Sequence, residues 1–179
     1  MTRTDGKRTR VALVGAGFIA RAHLDALRWC PGVEPTALCD TSREAAEALA
    51  RRVPGARVFT SLEELLEARA ADAIHILTPP GTHAALARRC LEAGHPCLVE
   101  KPLALEAEEI RELGAAARQR GLALGVTNNS PFLPGMDRLR RDLAAGRLGR
   151  LEALVLVYRA PLRQLLTGDV GHFMFQSEA

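Results

Sequence analysis

Residues 11–20 read Val11-Ala12-Leu13-Val14-Gly15-Ala16-Gly17-Phe18-Ile19-Ala20, and this stretch decides the fold. Four apolar residues in succession suit a short strand buried on both faces, as in a parallel sheet covered by helices. Two glycines end the strand, and Phe18 opens a helical stretch that runs to Trp29. Strand, G-x-G-x-x-A and helix together make a cradle for a diphosphate. Gly15 permits the tight turn. Gly17 lacks a Cβ, so a pyrophosphate can approach the backbone, and Ala20 is small enough for close helix–sheet packing. The amide groups opening the helix, at Phe18 and Ile19, then face the phosphate charge. Asp40 follows Ala20 by twenty residues, at the end of the next strand, where a carboxylate accepts hydrogen bonds from a ribose diol. The competing reading of Asp40 is a cap for the helix behind it. A carboxylate at that place repels a 2′-phosphate, which favours NAD. Ser42 and Arg43 lie close enough to meet a phosphate, which keeps NADP as the alternative.

Outward from this core the pattern repeats. Strands are predicted at Val33–Cys39, Arg57–Phe59, Ala73–Leu77, Cys97–Glu100 and Leu122–Thr127. Helices are predicted at 42–52, 62–69, 82–93 and 105–120. Thr41 with Glu44, and Ser61 with Glu64, form capping boxes. Gly94 with Pro96, and Gly121, supply stops. Six βα repeats imply an α/β doubly wound parallel sheet, a Rossmann fold, over residues 9–127. The turn-rich stretch Asn128 to Gly135 then reads as a connector. A helix at Met136–Ala145 and an apolar strand at Leu151–Ala160 follow it, so 128–179 is expected to begin an α+β second domain that is cut short.

Composition narrows the classes. The 179 residues carry 24 basic and 21 acidic side chains, a balance that argues against a nucleic-acid-binding arm. No apolar run approaches the roughly 18–20 residues of a membrane span, and the polar, basic start to Arg10 does not resemble a secretory leader, so a cytoplasmic protein is expected. Cys30, Cys39, Cys90 and Cys97 lack the spacing of a zinc site and read as buried free thiols, and no metal is expected.

Lys7 and Lys101 are the only lysines, and all other basic residues are arginine. Lys101 stands in Glu100-Lys101-Pro102 at the end of the fifth strand, where doubly wound sheets bind their ligands. Pro102 keeps Lys101 extended. A lysine ammonium, unlike a guanidinium, can be desolvated and exchange protons near neutral pH, so it can polarise or relay the proton of a substrate hydroxyl. The competing reading is a solvated lysine paired with Glu100.

Taken together, Gly15-x-Gly17-x-x-Ala20, Asp40, Thr78-Pro79-Pro80-x-x-His83 and Glu100-Lys101-Pro102 resemble the Gfo/Idh/MocA oxidoreductases over roughly residues 9–160. The resemblance implies a nicotinamide-dependent dehydrogenase or reductase acting on a small-molecule sugar, cyclitol or polyol. It gives Lys101 contact with cofactor and substrate, places Glu100 beside the nicotinamide ribose, and sets Thr78, Pro80 and His83 along the cofactor crevice. Asn129, Phe132 and Pro134 fit a family segment after the sixth strand, with Pro131 where a basic residue is usual. Asp169 and His172 resemble the family's Asp-x-x-x-His pair with one residue fewer between them, which makes His172 a candidate catalytic base. His23, His75 and His95 are read as structural. A homo-oligomer through a complete second domain is implied, whereas a chain of only these residues is expected to be impaired in catalysis. The alternative is a non-catalytic dinucleotide-binding module or truncated gene product.

Overall fold

In the computed structural model, residues 8–155 and 157 are described. The chain divides into two compact units, Met1–Thr127 and Asn128–Ala179.

The first unit contains β1 (Thr9–Val14), α1 (Phe18–Leu27), β2 (Val33–Cys39), α2 (Arg43–Ala50), β3 (Arg57–Phe59), α3 (Leu62–Glu67), β4 (Ala73–Ile76), α4 (His83–Glu92), β5 (Cys97–Val99), α5 (Ala107–Arg120) and β6 (Leu124–Val126). The strands form one sheet in the order β3-β2-β1-β4-β5-β6, and every pairing is parallel. The doubly wound α/β expectation therefore holds. Chain order reverses between β1 and β4, and that switch point opens a crevice beyond the strand ends.

The apolar run of β1 has a direct cause. Ala12 and Val14 belong to one buried cluster with Ile74, Ile76, Leu91 and Leu113. Val11 and Leu13 belong to another with Ala20, Leu24, Leu38 and Leu49. Successive side chains thus enter opposite layers, so neither face tolerates a polar residue. Ala20 is fully buried, as its place in the fingerprint requires.

Several element ends differ from expectation. Ser42, not Thr41, caps α2, and its side chain accepts from the Ala45 amide at 3.2 Å. The cause is Asp40, whose Oδ1 accepts the Ser42 amide at 2.9 Å and holds Ser42 in the extended conformation a cap needs. Ser61 caps α3 as expected, accepting from Glu64 N–H at 3.1 Å. The fifth helix starts at Ala107 because Glu106 takes the cap position, and it ends at Gly121 in the left-handed conformation.

The second unit holds a 3-10 turn at Ser130–Phe132 and α6 (Met136–Ala144). The strand expected at Leu151–Ala160 is corrected, because residues 151–155 and 157 are not in a strand. They are exposed, Val155 by 82%, and no described segment pairs with them. A strand is a paired element, and apolar sequence alone does not make one. The rest of that stretch, together with Asp169 and His172, lies outside the described residues.

Candidate functional site

The glycine loop sits where β1 ends, between the ends of β2 and β4. Gly15 donates its amide to the Cys39 carbonyl at 2.8 Å. Its φ is +100°, and a Cβ there would lie 2.8 Å from the backbone carbonyl of Leu77. Conformation and close approach both demand glycine at this position. Gly17 is different. Its φ is −70°, and a Cβ would meet nothing within 4 Å. Nothing in the protein's own packing requires glycine there, which fits a position left bare for a group outside the chain. Gly17 precedes α1, so the space beside it adjoins the positive end of the helix dipole. Phe18 follows at 66% exposure, and Ile19 packs partly against the α1 cluster.

Asp40 ties the loop to β2. Its Oδ2 accepts the Ala16 amide at 2.7 Å and its Oδ1 accepts Ser42 N–H. Ala16 therefore does not offer its amide to a phosphate. A carboxylate has about four lone-pair sites, so each oxygen retains capacity for a hydroxyl donor. Arg43 is exposed and lies 3.8 Å from Glu47, a surface pair of small energetic weight.

The other wall is built from the ends of β4 and β5. Thr78 Oγ1 accepts from the Thr82 hydroxyl at 2.7 Å, and Pro80 begins the 3-10 turn that leads into α4. His83 is 1% exposed. Its Nδ1 lies 2.6 Å from the Pro102 carbonyl oxygen and its Nε2 2.7 Å from that of Thr78. Carbonyls only accept, so each contact calls for a ring N–H, and a ring with one N–H donates to one of the two carbonyls. It staples the Thr-Pro-Pro loop to the Glu-Lys-Pro segment and has no nitrogen left over for a ligand.

Glu100 is held at both oxygens. Oε1 lies 3.1 Å from His23 Nε2, and Oε2 accepts the Lys101 backbone amide at 3.1 Å. Lys101 is exposed and forms no ion pair among the described residues, so the expected alternative of a Lys101–Glu100 pair does not occur. His23 in turn faces His75 of β4, with their Nδ1 atoms 3.3 Å apart and the rings edge to face at 79°. Burial, reinforced by His23, lowers the His75 pKa to about 4. Both histidines read as structural in the sequence, although a histidine between Ile74 and Ile76 is out of pattern for a buried strand and is the signal that marks the pair. Asn129 lies in the second unit, just before its 3-10 turn.

A glycine loop bare at Gly17, an acidic residue closing β2 and a lysine closing β5, gathered at a switch point, define a Rossmann-type dinucleotide-binding domain. Residues 9–128 match the oxidoreductase family with an NAD-binding Rossmann fold, Gfo/Idh/MocA, and the chain belongs to that family. Myo-inositol dehydrogenase Hyg17 of Streptomyces leeuwenhoekii is 39% identical over 150 residues, covering 82% of this chain and 45% of its own length. D-apiose dehydrogenase of Paraburkholderia graminis is 32% identical over 148 residues, covering 83% and 40%. Among solved structures, the WlbA dehydrogenase of Bordetella pertussis in complex with NADH and UDP-GlcNAcA superposes with a TM-score of 0.78 at 30% identity, covering 82% of this chain and 42% of its own. The chain thus spans less than half the length of each of these three relatives.

Proposed function

We propose that this chain binds NAD and serves an oxidoreductase that moves hydride between nicotinamide and a hydroxyl or ketone of a sugar, cyclitol or related polyol. The observation that carries the reading is Gly17, bare of any neighbour and standing at the mouth of α1 beside Asp40. The amides that open α1, from Gly17 through Ile19, would hold the pyrophosphate, with Ala20 keeping the helix close. Asp40 would accept from the adenosine ribose with the lone pairs its backbone partners leave free. Thr78 and Pro80 would line the nicotinamide end, His83 would support that wall from within, and Glu100 would stand beside the nicotinamide ribose.

A nucleotide held there would provide the nicotinamide as hydride donor or acceptor. Lys101 supplies the protein's part. Its extended ammonium meets the substrate oxygen, polarises it, and gives or takes the proton that balances the hydride. The polyol class rests on what the relatives are named for. Asn129 as a cofactor contact, His172 as a second proton carrier, the second unit as a substrate and oligomerisation domain, and a cytoplasmic place of work belong to the same proposal.

NAD is the preferred form, because the Asp40 carboxylate repels a 2′-phosphate. Calorimetric titration with NAD and NADP tests this. NAD is expected to bind more tightly, and Asp40→Ser is expected to narrow the gap, with Arg43 then free to favour NADP. Tighter binding of NADP by the unaltered chain would reverse the assignment.

A further inference from the structure

Three polar side chains, His75, His23 and Glu100, form a continuous line from β4 through α1 to the end of β5. Each junction restricts the next. The Glu100 carboxylate is only 14% exposed and the His23 ring 11%, so the charge needs close partners. It has two, His23 Nε2 and the Lys101 amide. A carboxylate only accepts, so His23 must carry its proton on Nε2. Its Nδ1 then faces Nδ1 of His75 at 3.3 Å, and two such nitrogens need one proton between them. His75 is held neutral by burial, and a neutral ring either donates or accepts at Nδ1 according to its tautomer. His75 therefore accommodates His23 while its Nε2–H stays aimed at Glu100.

We propose that His23, with Nε2 turned to Glu100 and Nδ1 turned to His75, is a positioning residue. It clamps the Glu100 carboxylate, and Glu100 holds the Lys101 backbone so that the ammonium is delivered into the crevice. The functional half of this inference rests on the reading of Lys101 given above. The geometric half stands without it.

The chain has only two lysines, so selective 15N-lysine labelling of the full chain gives two backbone amide signals, from Lys7 and Lys101. His23→Gln sets an amide N–H near the place of Nε2, and His23→Leu removes the donor. In His23→Leu the Lys101 amide is expected to move upfield and to exchange with solvent roughly 10- to 100-fold faster. In His23→Gln it should stay near the wild-type position, and Lys7 should not respond to either change. Equal responses in the two variants would reduce His23 to packing and overturn the proposal, as would an unmoved Lys101 amide in His23→Leu. Should His23→Leu not fold, Glu100→Gln replaces the carboxylate with a weaker acceptor and must shift the Lys101 amide in the same direction. No shift there overturns the proposal too. NADH is titrated into the same samples. Wild-type protein that fails to bind NADH removes the dinucleotide reading, while the lysine signals still decide the positioning role.

Discussion

Gly15 and Gly17 look alike in sequence and carry different duties. An alanine at 15 must take a φ of +100° and pushes its Cβ to 2.8 Å from the Leu77 backbone, which has no side-chain freedom with which to yield. Gly15→Ala is expected to destabilise the fold by about 2–4 kcal/mol. Gly17→Ala, with open space and an ordinary φ, should leave stability within about 0.5 kcal/mol. Urea unfolding of both variants separates them, and equal losses would contradict the division of labour. The cysteines divide as sharply. Burial pushes the Cys39 thiol up to about 12 and Cys97 to about 11, and raises Cys90 further. Cys30 is exposed, against the expectation that all four are buried. A thiol titration of the native protein should find one fast-reacting group, lost in Cys30→Ser. The tight turn at Gly15 and the places of Asp40 and Lys101 at strand ends were legible as types at a spacing. The His23–Glu100 contact was not, because it depends on how α1 lies on the sheet, and no spacing within one segment encodes that.

At the scale of elements, helix and strand identity followed from periodicity, while their ends followed from competition among capping groups. Thr41 and Ser42 are both able to cap, and the choice falls to Ser42 only because Asp40 captures its amide. At residues 151–155 and 157 the expected strand is not formed for the complementary reason, since pairing is a property of two segments. The α1–β4 contact has a measurable consequence through His75. Its ordinary value of 6.5 is lowered to about 4 in the fold, so the unfolded chain takes up the proton first. The stabilising effect of keeping the ring neutral is complete above pH 6.5 and is lost as pH falls toward 4. Between pH 7 and about pH 4.5, wild-type protein should lose on the order of 2 kcal/mol more than His75→Val does. Parallel acid slopes for the two proteins in urea melts would show that His75 does not behave as a buried neutral ring.

At the scale of the molecule, the parallel sheet brings the ends of β1, β2, β4 and β5 to one edge, and that arrangement gathers there residues as far apart in sequence as Gly15 and Lys101. The fold class was legible early because six βα repeats admit few topologies, and the right-handed crossover rule removes most of those. The substrate was not legible, because the described residues that converge at the strand ends are those proposed to hold the cofactor. Family membership attaches to residues 9–128, and the chain spans less than half the length of the relatives described above. Net charge, formally +3, is too small to steer a partner by itself.

In the proposed complex a dinucleotide's pyrophosphate occupies the bare space beside Gly17. Calorimetric titration of NAD into wild-type protein and into Gly17→Val, with unfolding curves for both, tests it most directly. Wild type is expected to bind, and Gly17→Val to lose affinity by about tenfold or more with the fold preserved. Undiminished NAD binding by a folded Gly17→Val protein, or no binding by wild type, would contradict it.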